Sequence, residues 1–179
     1  MDLSVIPECF VDTNLTESIT PPIGKGYNHQ MGCGTVAKKM KEKLADQFAL
    51  GIIDKDKKQL DYLSEFTEEI NHGSLVLYKH KKRHHYIIQI SPAIEKFIID
   101  SAGAAGVLLE DYDLPAAFED FKRVCKTLQS KNDHRFKALF KEIKNAGSPN
   151  FETLSAWIKY LRDTNYQANI QELKRLCFT

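Results

Sequence analysis

The chain has 179 residues, 42% of them hydrophobic and 27% charged, with a formal net charge of +1. That length supports one sizeable domain, or a core with an appendage, and the composition is that of a globular protein rather than a disordered or fibrous one. Near-neutral charge excludes a polycationic nucleic-acid coat, so any phosphate-binding surface has to be a local patch.

The first elements alternate in type. Leu3 to Pro7 is a short apolar run, and Cys9 to Thr20 reads as a helix. A Pro/Gly-rich break, PPIGKGYNHQMGCG, separates it from TVAKKMKEKLADQF, where Val36, Met40 and Leu44 recur at helical spacing with lysines on the other face. FALGIID reads as a buried strand. KQLDYLSEFTEEI reads as a helix, with Leu60, Leu63, Phe66 and Ile70 on one stripe. SLVLYKH and HHYIIQI are further strands, and PAIEKFIIDSA starts a helix with Pro92 near its first turn. Strands alternating with helices predict an α/β fold, a mostly parallel sheet flanked by helices, over residues 1–106. After Ala102 to Gly106 every remaining segment is helical in pattern, so residues 107–179 are expected to form an all-helical C-terminal extension. Within it Phe118, Phe121, Phe136, Phe140, Trp157, Ile158 and Leu161 recur at core-packing spacing.

No window reaches the roughly 18 apolar residues of a membrane span. MDLSVIPECF carries neither the basic leader nor the apolar h-region of a signal peptide. Cys9, Cys33, Cys125 and Cys177 are scattered without metal-ligand spacing and read as reduced thiols. The expectation is a cytoplasmic protein without membrane contact.

Chemistry concentrates in acids. Glu8 directly follows the first apolar run, and Asp54 and Asp56 end the FALGII run. In open α/β sheets, ligands bind beyond the carboxyl ends of the strands, so Glu8 and Asp54 on neighbouring parallel strands would emerge at one edge. Asp12, four residues after Glu8, would face the same side of a helix starting near Cys9. Clustered carboxylates repel one another. A hard divalent cation resolves that conflict, and Mg²⁺ or Mn²⁺ is the expected cofactor. Two such ions can activate water and stabilise the leaving oxygen in phosphodiester cleavage. Alone, Asp-Lys-Asp-Lys also fits an ordinary charged turn.

The order strand–Glu–helix, Gly-containing connection, helix, strand and DxD, carried by Val5 to Asp12 and Gly51 to Lys57, resembles the Toprim fold of topoisomerases, bacterial primases and OLD-family nucleases. Small Toprim-like proteins of mobile elements and phage defence share it. The resemblance implies a Mg²⁺-dependent nucleic-acid phosphodiesterase in which Glu8, Asp12, Asp54 and Asp56 hold metal and Glu8 also serves as general base. ISPAIEKFII matches a segment whose acid faces the site, which assigns Glu95 to the metal set, and the late lysine of OLD-type enzymes maps to Lys79 or Lys81. Cys9 stands where Toprim chains usually place glycine. A non-catalytic Toprim-like interaction protein is the competing class. FVDTN, Phe10 to Asn14, resembles instead the opening of PIN-domain ribonucleases, which would make Asp12 the end of the first strand and draw further acids from Glu42, Asp100, Asp111 and Asp113.

YKHKKRHHY, Tyr78 to Tyr86, packs cations between two strands. Lysine and arginine there could neutralise nucleic-acid phosphates, with Lys79–His85 as the contact segment and Lys79 or Lys81 stabilising transition-state charge. A solvated charged turn has the same composition. His80, His84 and His85 have no cysteine or carboxylate partner nearby for zinc and are expected at the surface. No GxxxxGK[ST] is present for a P-loop. The C-terminal helices are the expected site of any protein partner.

Overall fold

A computed structural model describes residues 2–55 and 60–178. Five strands, β1 (Val5–Pro7), β2 (Ala49–Asp54), β3 (Phe66–His72), β4 (Leu75–His80) and β5 (His85–Ile90), form one sheet in the order β1-β2-β5-β4-β3. β1 pairs β2 and β2 pairs β5 in parallel; β5–β4 and β4–β3 are antiparallel. The protein is therefore α/β, but its sheet is mixed rather than mostly parallel.

The source of that difference is KQLDYLSEFTEEI. Its described part is not a helix: Asp61–Glu65 is a single 3-10 segment and Phe66 opens β3. The apolar spacing that imitates a helix comes from a register shift between Glu68 and Ile70. In a regular strand Phe66 and Ile70, an even number apart, would share a face; the extra residue of a bulge sends them to opposite faces. Phe66 accordingly joins the core on one side of the sheet and Ile70 the core on the other. Gly73, with φ of 59°, makes the turn that returns the chain into β4.

Helices cover both faces. α1 (Phe10–Ile19) follows β1, and α2 (Cys33–Lys38) continues into a π-helical segment, Lys39–Lys43, before β2. Val36, Met40 and Leu44 bury their side chains with Ile6, Ala49, Ile53 and Ile87, as their spacing predicts. Gly51 is what allows this approach: a Cβ there would lie 3.1 Å from both Met40 Sδ and Val36 Cγ1. The other face, with Val5, Leu50, Ile52, Leu77 and Ile88, packs against α1, α3 (Ile94–Ala104) and the C-terminal helices.

Those helices are α4 (Phe118–Cys125), α5 (His134–Asn145), α6 (Pro149–Thr164) and α7 (Ile170–Arg175). No strand occurs after β5 among the described residues. Phe121, Phe136, Phe140, Trp157, Ile158 and Leu161 are buried in the same continuous core as β1, β2 and α1, whereas Phe118 is exposed. Buried polar contacts tie the helical part to α1: Asn14 Nδ2 donates to Ser130 O at 2.7 Å, and Lys144 Nζ donates to Ile19 O at 2.6 Å. Pro149 is the first residue of α6, where its missing N–H costs nothing. All four cysteines are free thiols. Among the described residues no helix is long and apolar enough to cross a membrane.

Candidate functional site

β1, β2 and β5 all end at the same edge of the sheet, because they run parallel and in register: Pro7 lies opposite Ile52, and Asp54 opposite Ile90. α1 and α3 both begin there. Glu8 leaves β1 with its N–H on Ile52 O, and its carboxylate Oε2 accepts the N–H of Asp54 at 2.9 Å. Asp54, the last residue of β2, accepts the N–H of Ile94 through Oδ1 at 2.9 Å. That N–H belongs to the first turn of α3, whose preceding residue, Ala93, has no side chain to cap it. Asp54 thus caps α3 from another element. Glu95, next in that turn, is buried.

Asp12 completes the cluster from the first turn of α1. Cys9 Sγ accepts the N–H of Asp12, and Asp12 Oδ2 accepts the N–H of Cys9 at 3.1 Å, a reciprocal cap with a thiol in the usual hydroxyl's place. Asp12 is fully buried, and its second oxygen, Oδ1, has no hydrogen-bond partner among the described residues. FVDTN is therefore helical, and Glu8 rather than Asp12 follows the first strand.

Burial, then the charges of Glu8 and Glu95, push Asp12 up to about 7. Burial, then the charges of Asp12, Glu8 and Glu95, push Asp54 up to about 9. The thiol of Cys125, at the end of α4, is raised by burial and then by the charges of Glu95, Asp12 and Asp54. Two helix N-termini aim their partial positive ends at the same edge.

The structure brings Glu8, Asp12, Asp54 and Glu95 together; Asp56 lies outside the described residues. Among those residues no group of three His, Cys, Asp or Glu side chains stands in metal-ligating geometry. The donor set is nonetheless all carboxylate oxygen, as a hard cation requires, and the buried orphan oxygen of Asp12 is the kind of atom such an ion satisfies.

Lys79 and Lys81 are elsewhere. β4 runs antiparallel to β5, with Lys79 opposite Tyr86 and Leu75 opposite Ile90, so the turn after His80 sits at the other end of the sheet from Asp54. Five residues of strand separate the two ends, about 17 Å at about 3.3 Å per residue. Lys81 Nζ is engaged there with Ser64 O at 3.0 Å. Neither lysine reaches chemistry at the acids, which corrects their assignment as transition-state groups. The alternative acids are also dispersed: Glu42 is on the π segment, Asp100 pairs with Lys96 on α3, and Asp111 and Asp113 lie beyond it.

The histidines of that turn differ from expectation too. His80 and His85 are buried, and only His84 is exposed. His85 Nε2 donates to Leu44 O at 2.9 Å and its Nδ1 accepts from Tyr62 Oη at 2.7 Å. His80 Nδ1 accepts the N–H groups of Lys82 and Arg83, and its Nε2 donates to Glu65. Burial lowers the pKa of both rings, consistent with neutral structural residues.

Two residues near the acids carry no motif. Thr13 Oγ1 donates to Cys9 O at 2.7 Å and meets His29 Nδ1 at 2.8 Å. His29 stacks on Phe10 with centroids 4.6 Å apart, and its Nε2 is buried without a partner among the described residues. His29 lies in the Pro/Gly-rich break, where the N–H groups of Asn28 and Gln30 donate to Val5 O and Pro7 O and hold the segment beside β1. Comparison with protein-family models, curated proteins and solved structures yields no match.

Proposed function

We propose that the protein is a divalent-cation-dependent phosphodiesterase acting on nucleic acid, with its centre at the carboxyl ends of β1 and β2. The observation that carries this reading is the convergence of Glu8, Asp12, Asp54 and Glu95, with Asp12 Oδ1 buried and unpaired. The strongest charges acting on Asp12 and Asp54 are those of other acids. Such a cluster is stable only if it is protonated or holds a cation, and oxygen ligands select Mg²⁺ or Mn²⁺.

In this reading Glu8, Asp12, Asp54 and Glu95 hold the ion, with Asp56 beside them in sequence. The cation would polarise a phosphoryl oxygen and lower the pKa of a bound water. The chain supplies the rest. Backbone N–H groups anchor one oxygen each of Glu8, Asp12 and Asp54, so these carboxylates are held before any ligand arrives. Glu8 would act as the general base of the reaction. The Toprim resemblance of Val5–Asp12 and Gly51–Lys57 supports the same assignment; FVDTN, which resembles a PIN ribonuclease, lies in α1.

The test is cleavage of supercoiled plasmid and of a structured RNA with Mn²⁺ or Mg²⁺ against an EDTA blank. Metal-dependent products are expected from the wild type. Glu8→Gln, which removes a general base, should slow them by about 10²–10⁴-fold. No metal-dependent product, or an equally active Glu8→Gln, defeats the proposal.

A further inference from the structure

The basic turn, excluded from the chemistry, adjoins a second set of cations. α2 begins at the acidic edge, where the N–H of Gly32 donates to Glu8 O at 3.1 Å. The helical chain then runs back along the sheet until Leu44, whose carbonyl accepts from His85 at the start of β5. There Arg83 Nη1 donates to Lys41 O at 3.2 Å, fastening the β4–β5 turn to the π segment. One side of this helical run is buried through Val36, Ala37, Met40 and Leu44. The other side presents Lys38, Lys41 and Lys43 to solvent, with Lys39 half-buried. Lys81 and Lys82 are exposed on the turn.

We propose that this surface is the track on which the nucleic-acid backbone lies. It leads from the acidic centre along α2 and the π segment to the β4–β5 turn. The inference rests on the phosphodiesterase reading for its choice of ligand. Cations dominate the strip: Glu65 is occupied by Lys41 at 3.1 Å and by His80, which leaves Glu42 as the acid within the helical run. A shallow depression lined by Gln30, Thr35, Lys38, Lys39, Glu42 and Lys43 sets neutral hydrogen-bonding groups and a single acid beside three lysines, a mixture suited to phosphate and sugar contacts. The track covers about 17 Å, or about five steps of a duplex strand at about 3.4 Å each. With the chain near neutral overall, the affinity is local and independent of base sequence.

The experiment measures binding of fluorescein-labelled DNA and RNA duplexes of one sequence by anisotropy in EDTA, where no metal-dependent cleavage intervenes, beside vesicles of mixed neutral and anionic lipid. Wild type should bind duplex with a log K–log salt slope of about −4.5, reflecting about five phosphates. K38E/K39E/K43E and K81E/K82E should each weaken binding at least about tenfold and flatten that slope by about one per lysine. K137E/K141E, the same kind of charge change on α5, should cost less than about threefold. Lys→Gln versions, which introduce no reversed charge, should give smaller losses in the same order, and circular dichroism checks that each variant is folded. The proposal is overturned if wild type binds neither duplex, if vesicles bind and duplexes do not, or if the α5 variant loses as much as the track variants. Retained, track-dependent binding with no metal-dependent cleavage by wild type would sink the phosphodiesterase reading and leave the track standing.

Discussion

Asp54→Asn separates a cation site from a merely acidic edge. Asparagine keeps an Oδ1 to accept the Ile94 N–H, so the cap on α3 survives. What disappears is one carboxyl whose pKa is already raised by burial and then by the neighbouring acids. In EDTA at neutral pH the variant should therefore be at least as stable as wild type, because it escapes the cost of taking up a proton at Asp54 on folding. With cation the two diverge. A ligand that binds only the folded state at a hundred times its Kd stabilises by about 2.7 kcal/mol. For a chain of 179 residues, each kcal/mol moves Tm by about 2–4 °C, so wild type should gain about 5–11 °C. The assay is thermal unfolding by circular dichroism at increasing Mn²⁺ or Mg²⁺, against NaCl of equal ionic strength, with Kd from isothermal titration. No ion-specific shift in wild type, or an equal shift in Asp54→Asn, refutes the cation reading.

Without added metal, the raised acids also set a pH dependence. Asp12 and Asp54 hold protons in the folded state at pH values where the unfolded chain has lost them, so stability is full below about pH 4 and declines as pH rises through about 7 to about 9. Saturating Mn²⁺ should flatten that decline over the same range, and an unchanged slope counts against shared ligation. His85 acts oppositely: its lowered pKa means the unfolded state binds more protons below about pH 6.5, so stability falls on acidification. His85→Phe should reduce that loss between about pH 7 and pH 5 in urea titrations, whatever its effect on absolute stability. Lys79→Ala with Lys81→Ala should change kcat by less than about threefold, against about 10²–10³ for a group that stabilises the transition state. Gly51→Val should cost about 1–3 kcal/mol by urea unfolding, since the new side chain meets Met40 and Val36 already at 3.1 Å from a Cβ; an unaltered midpoint would mean α2 can move away.

The carboxylates were legible because each is tied to local pattern. An apolar run that stops at an acid places Glu8 and Asp54 at strand ends whatever the rest of the chain does, and Asp12 follows one helical turn later. The burial of Val36, Met40 and Leu44 was equally local. His29 was not legible, because it reaches Thr13 of α1 through a loop beside β1, with no spacing to announce it.

Sequence alone determined the identity of the elements whose side-chain period is regular, and the strand ends at which acids emerge. Tertiary structure decided direction. Between Glu68 and Ile70 one extra residue makes a strand look like a helix, and only pairing with β4 supplies the hydrogen bonds that hold it extended. Counting that segment as a strand reverses the sense of β4. The basic turn, which a helix there would have left at the acidic edge, is carried to the opposite end of the sheet and set against the lysines of the π segment. Each reversal of the chain moves the next strand's end by the full length of the strand, a consequence of pairing that no single segment encodes.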